Sequence, residues 1–212
     1  MRPSHCLAPL LPSLVLVLAA EAAAQACIGF PQGSRGALYA EFGFPENASS
    51  YTLAGMVSSR DGGLFFQGGF GITAFDVEQA ENLKAVSGGM AFEIASLAPE
   101  WSVCPLAAAT YAWVEDLNSL TVPFGVGIGT TVQLGAGGDA ALTPFAVPQF
   151  LYARLSFDDV DDSAESDVFV GLGAGATVSV GSFLFGGQVS KVFEEDEDAV
   201  FSLVAGVAWR SS

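Results

Sequence analysis

Three charged side chains, Glu41, Glu93 and Arg154, stand inside runs of the sequence that are otherwise small or apolar. The alternation described below puts them in an inward phase, together with Tyr39, Gln67, Tyr152 and Gln188. Two readings follow. In one, Arg154 pairs with a carboxylate in an enclosed interior, because a buried charge without a partner is costly. In the other, the charges line a narrow passage and set its selectivity. Catalysis is poorly supplied: the single histidine, His5, lies in the N-terminal leader, so the rest of the chain lacks a Ser-His or Cys-His nucleophile and a histidine base. A pair of carboxylates could still move protons, but no catalytic residue and no cofactor is expected.

Cys6 also lies in the leader, which leaves Cys27 and Cys104. In an oxidising compartment they form a disulfide, closing a long loop that the chain-entropy model values at roughly 4 kcal/mol. The alternatives are two free thiols or a lipidated Cys27. Two cysteines without histidine make a poor zinc site. The acidic runs Asp158 to Asp162 and Glu194 to Asp198 lack the glycine and spaced ligand order of a calcium loop, so they read as solvated loops and no metal is expected.

The elements that would position these residues are strands. From Asp167 onward, Val168, Val170, Leu172, Ala174, Ala176 and Val178 share one phase while Phe169, Gly171, Gly173, Gly175 and Thr177 share the other. After a Gly181-Ser182 turn, Phe183, Phe185, Gly187 and Val189 resume the alternation. Period two is a β-hairpin. Its large residues sit on one face, and the opposite face offers glycine, serine and threonine, too little to build a core. The apolar face therefore meets lipid, and the chain reads as an all-β, transmembrane, antiparallel up-and-down barrel.

The same pattern predicts strands over 37–44, 50–59, 64–75, 85–95, 106–114, 120–132, 142–157, the two arms 167–180 and 183–193, and 200–210. That makes ten strands, with eight as the alternative. Pro123, Pro144 and Pro148 fall inside predicted strands, where a closed barrel has no edge to hide a missing N–H, so bulges or a loop are expected there. The many inward glycines imply an under-filled interior that admits water.

The 212 residues carry a net charge of −16 with 51% hydrophobic residues, an awkward combination for a soluble domain. Only seven Lys and Arg exist, so neither nucleic acid nor an anionic membrane surface is a partner. Residues 1–26 read as a signal peptide: Arg2, an apolar run from Leu7 to Ala20, and Ala24-Gln25-Ala26 as a small-x-small cleavage site. A retained anchor would need about 20 apolar residues, and Pro9 and Pro12 break this run. Lipoprotein processing is a further alternative, with Ala24 where a leucine-like residue is usual. The barrel domain is then 27–212.

Topology can be tested on charge. Alternate connections, 45–49, 76–84, 115–119, 158–167 and 194–199, hold 17 of the 23 acidic residues, whereas the opposite turns hold only Asp61, Glu100 and Asp139. The strand assignment did not use this segregation, so it supports the up-and-down order independently. Phe44, Tyr51, Phe75, Trp113, Phe157, Phe193 and Phe201 cluster next to the acidic connections, as an interfacial girdle would.

With its cleavable leader, Gly-rich alternating strands and an aromatic near the end of the last strand, the chain resembles the small outer-membrane β-barrel domain proteins, the OmpA-like and OmpW-like barrels of Gram-negative-type bacteria. The resemblance covers residues 36–210 and is one of pattern. It implies a monomer in the outer membrane, surrounded by lipid and inserted by the barrel-insertion machinery. The family commonly ends on an aromatic, and here Arg210-Ser211-Ser212 follow Trp209. The function this implies is a structural or narrow passive-pore role without catalysis. The alternative is an adhesin or ligand-binding barrel acting through its acidic outer loops.

Overall fold

The computed structural model describes residues 29–30, 34–59, 64–76, 80–92, 94–98, 101–115, 117–135, 139–157, 164–194 and 198–210. The described residues form β1 (Ser34–Phe44), β2 (Ala48–Ser58), β3 (Leu64–Phe75), β4 (Leu83–Phe92), β5 (Ile94–Ala98), β6 (Trp101–Val114), β7 (Leu117–Gly129), β8 (Val132–Leu134), β9 (Ala140–Phe157), β10 (Glu165–Val180), β11 (Phe183–Val192) and β12 (Val200–Arg210). β5 follows β4 and pairs with β6, and β8 follows β7 and pairs with β9, so these short pieces extend existing staves. The other ten strands pair in sequence order. β1 meets β12 and β9 meets β10, which closes the ring. Every pairing among the described strands is antiparallel, as hairpin connections require. The molecule is a closed ten-strand transmembrane β-barrel.

Closure fixes the dimensions. Starting at Tyr39, the register passes through Ala54, Gly69, Ser87 and Thr110 to Thr121 one way round. The other way it passes through Gly206, Leu184, Ser179 and Ala141 to Gln133, a stagger of twelve residues along the same stave. With ordinary strand spacing and rise this tilts the strands by about 40° and sets the backbone about 10 Å from the axis. Side chains pointing inward can nearly fill such a cylinder.

Except on β9, where the phase is reversed, and β6, whose alanines suit either face, the exposed phase of the strands is the one anticipated from alternation. Leu38, Phe42, Leu53, Phe66, Phe70, Val86, Met90, Phe124, Val126, Phe150, Val170, Phe185 and Leu203 all point away from the interior. An apolar wall of this extent has no place in water and is the lipid-facing surface of a barrel. Stacked outward pairs, Phe124 with Phe150 and Phe44 with Phe201, tie adjacent staves together across that wall.

The structure departs from the alternation in two places. The stretch 96–105, anticipated as a connection, is largely strand: β5 and the start of β6 form a hairpin, which carries Cys104 into the wall. Backbone pairing continues wherever a partner strand is present, whether or not side chains alternate. The three prolines produce neither bulges nor a loop. The β6–β7 ladder lapses between Ala107↔Phe124 and Thr110↔Thr121 and resumes in the same register, which spans Pro123. The β7–β9 ladder lapses likewise between Gly125↔Gln149 and Ile128↔Ala146, opposite Pro148, while β10 pairs with Pro148 without interruption. Pro144 has its carbonyl engaged by the Thr130 N–H at 3.3 Å. Each missing donor costs a local bond and leaves the register intact. At the β1–β2 turn Asn47 takes φ 56°, a left-handed conformation that Asn tolerates.

The lumen as candidate functional site

Glu41 is on β1, opposite Thr52 of β2 and Val204 of β12, and is only 2% exposed. Gln188 of β11, equally buried, reaches across β12 and donates from Nε2 to Glu41 Oε1 at 2.9 Å. A charge-assisted bond of this kind fixes the carboxylate in an enclosed space. Gln188 can lie flat against the wall because the facing residue is Gly175: a Cβ there would come within 2.8 Å of the Gln188 Cβ. Tyr39 lies over Gly206 in the same way, at 2.5 Å, and Gln149 over Gly125, at 2.9 Å. The inward glycines are therefore seats for long neighbours. This corrects the expectation that they leave the interior under-filled.

The interior divides into tiers. At the end where β1 begins and β12 finishes, Ala37, Tyr39, Met56, Phe65, Leu106, Phe145, Val147 and Leu184 pack into one apolar cluster, which also contains Cys104 and Phe30. Above it lies a polar belt that includes Glu41, Gln188, Gln149, Ser87, Thr110, Thr121, Ser190 and Ser202, all enclosed. The hydroxyls of Ser87, Thr110, Thr121, Ser190 and Ser202 find no protein partner among the described residues. Enclosed hydroxyls are normally hydrogen-bonded, and water is the partner such a belt accommodates. Nearer the acid-rich end two smaller apolar clusters, Leu151 with Val192 and Val200, and Leu83 with Leu155, narrow the space again. Just beyond β11, Glu194 has its carboxyl pushed above the ordinary value, first by partial burial and then by the negative charge of Asp167.

Phe30 closes the apolar tier. It is 6% exposed and its ring lies 5.5 Å from that of Tyr39, tilted by 55°. The Thr177 hydroxyl donates to the carbonyl oxygen of Gly29 at 2.5 Å. The seat is completed by Phe145, Leu184, Gln188 and Val204, and what remains beside them is about the size of one water molecule.

The sequence-derived residues are only partly brought together. Glu41 is in the lumen as expected, and so are Tyr39 and Gln188. Arg154 is not: it lies in the exposed phase of β9 with Phe150, between Leu120 and Ser166, while Leu151, Ala153 and Leu155 point inward. Tyr152 shares that outward phase. Both phases of β9 are rich in large apolar residues, so alternation alone could not choose between them. The close seating of Gln149 over Gly125 and of Leu151 over Gly171 decides the matter. An outward Arg154 near the strand end reaches interfacial water and escapes the cost of burial beside a distant carboxylate. Glu93 and Cys27 lie outside the described residues. Cys104 is fully buried on β6 opposite Gly127; it is not a free thiol, and its partner lies outside the described residues. Sequence reasoning missed Phe30, which belongs to no alternating run. Its one signal was Cys27, three residues earlier, expected to pair with Cys104.

The class this architecture defines is a β-barrel whose wall is apolar outside and whose interior is a stack of apolar and polar tiers. No protein-family description matches the chain, and neither does any curated protein. Among solved structures it is similar to the translocator domain of autotransporter NalP from Neisseria meningitidis, at TM-score 0.47 and 11% identity over 83% of this chain and 87% of that one. It is also similar to a bacterial polysaccharide outer membrane secretin, at TM-score 0.45 and 13% identity over 77% of this chain, where it spans 57% of the other structure's length. The attachment invasion locus protein Ail of Yersinia pestis follows at TM-score 0.38 and 13% identity, over 84% of this chain and 99% of that one. At these values the likeness is one of fold alone.

Proposed function

We propose that the chain is a Gram-negative-type outer-membrane barrel, a non-catalytic monomer whose lumen is a narrow passive passage that prefers small cations. In this reading residues 1–26 are a cleavable signal, residues 27–212 are inserted by the barrel machinery, and the termini face the periplasm. Cys27 is the disulfide partner of Cys104, because Cys6 leaves with the signal. The observation that carries the passage is the enclosed polar belt around Glu41, the one described inward carboxylate held by a side-chain donor at membrane depth. The negative potential at the acid-rich mouth, where Glu194 crowds Asp167, draws cations toward the same axis.

Planar-bilayer recording tests the proposal. Under a potassium chloride gradient, open events reverse toward the potassium potential, and Glu41→Gln moves the reversal potential at least halfway to zero. Open events whose reversal ignores Glu41→Gln would remove the selectivity claim. A second reading, an adhesin or ligand-binding barrel working through the acid-rich end, draws on the concentration of 17 of the 23 acidic residues in the connections there. It predicts no Glu41-dependent selectivity, so the same recording separates the two.

A further inference from the structure

We propose that the outward face of β4, β6, β7 and β9, close to the acid-rich end, seats one lipid whose headgroup carries a phosphomonoester, held between Lys84 and Arg154 over the rings of Tyr111 and Trp113. The seat is on the outside of the wall, so it stands whether or not the lumen conducts.

The register assembles it from four neighbouring staves. Lys84 lies directly opposite Trp113, and Trp113 opposite Asn118. Two residues down the staves, Tyr111 faces Leu120 and Leu120 faces Arg154. Three strand spacings and two residues of rise put about 16 Å between the backbones of Lys84 and Arg154. Because of the stagger, a row climbs toward the acid-rich end in passing from β4 to β9, while Arg154 sits two residues back down its strand. At a tilt of about 40° the two shifts offset, and both cations stand within about 5 Å of the same depth. Both point outward, and both side chains are long enough to meet over the rings between them.

The platform between them is held in place. The rings of Tyr111 and Trp113 stack at 5.9 Å with 25° between their planes. The Tyr111 hydroxyl donates to Asn118 Oδ1 at 2.9 Å, which ties the pair to the next stave. An ordinary interfacial girdle accounts for the aromatic residues, but it does not account for the cations. The chain has only seven Lys and Arg against a net charge of −16, yet two of the seven flank this one pair. Neither makes a hydrogen bond or ion pair among the described residues.

Charge complementarity selects the occupant. So few cations exclude a broad anionic surface as partner, but they are enough for a seat of two. The connections above the seat are acidic, so long-range charge repels an anionic lipid and any attraction has to be local. A phosphomonoester carries nearly two negative charges above its second pKa of about 6. Arg154 can take two of its oxygens with the guanidinium fork while Lys84 adds a point charge. A phosphodiester has one charge to offer two cations, and a zwitterionic headgroup brings a cation that both repel.

The test reads lipid preference at Trp113. Trp101→Phe and Trp209→Phe leave it as the single tryptophan of the mature chain. The full mature chain is refolded at pH 8 into phosphatidylcholine vesicles holding a rising share of one lipid with brominated acyl chains, which quench an indole on contact. Brominated phosphatidic acid is expected to reach half-quenching at a share at least about threefold lower than brominated phosphatidylcholine. One basic side chain at an anionic headgroup is worth about fivefold, and the acidic connections take part of the gain away. Brominated phosphatidylglycerol, a diester, is expected to fall between the two. Lys84→Gln with Arg154→Gln brings phosphatidic acid to the phosphatidylcholine level or below it, in a protein whose heat-dependent gel shift shows that it still folds. Equal quenching by phosphatidic acid and phosphatidylcholine in the parent would overturn the seat, and so would a preference that survives the double substitution. Phosphatidylglycerol quenching as strongly as phosphatidic acid would overturn the choice of a phosphomonoester.

Discussion

The outward and inward faces of the wall are made by the same strands in the same alternation, yet they obey different rules. Along β2, Leu53 points outward at 59% exposure and its neighbour Ala54 inward at 2%. Outside, every position meets the same solvent, lipid chains, so any large apolar residue serves and none depends on a particular neighbour. Inside, each position meets specific opposite walls: Tyr39 needs Gly206, Gln188 needs Gly175, and Glu41 needs Gln188. The outer face is specified by polarity and the inner face by shape and pairing.

A charge test breaks this comparison most sharply. Leu53→Arg, on the lipid face near the middle of β2, is expected to cost about 2–4 kcal/mol, the range for a basic residue at membrane depth. Thr52→Ser, one position along on the inward phase and opposite Glu41, keeps the hydroxyl of the polar belt, loses one methyl and is expected to cost about 1 kcal/mol. Urea unfolding of the barrel from phospholipid vesicles measures both. Equal costs at the two positions would mean that the faces are not distinguished by solvent as described. Glu194 gives the smallest effect, at the rim where neither rule applies. Its folded carboxyl is raised above the unfolded value by partial burial and by Asp167, so ionisation is opposed in the folded state. The penalty is present above the raised pKa and disappears as pH falls through it toward the ordinary carboxylate range. Glu194→Gln should therefore be slightly more stable than the parent at neutral pH and indistinguishable from it near pH 3. A gap that widens on acidification would reverse the sign of that interaction.

The difference between the faces also explains what could be read from the chain. The strand number, the up-and-down order and the outward residues of β3, β7 and β10 follow from period-two hydropathy, because one uniform solvent imposes it. Glu41 and Gln188 could be assigned inward for the same reason, since their strands alternate cleanly. Arg154 could not: Phe150 and Leu151, Tyr152 and Ala153 give β9 two apolar phases, and only the seating of Gln149 and Leu151 against glycines two strands apart selects one. The prolines were misjudged because a ladder that loses a single bond keeps its register as long as the opposite neighbour stays paired, as β10 does at Pro148. Phe30 was illegible for a different reason. Tyr39 is nine residues on, but Phe145 and Leu184 lie far along the chain on β9 and β11, so nothing local to residue 30 announces the seat.

The central claim is that this apolar wall closes on itself and faces lipid. It is tested most directly by expressing the chain with its leader in a Gram-negative host, isolating outer membranes, and comparing gel migration of boiled and unboiled detergent extracts. The account predicts outer-membrane recovery with a heat-dependent mobility shift, because a closed ten-strand barrel stays folded and compact in detergent until heated. Recovery as a soluble periplasmic protein that migrates identically with and without heating would contradict it.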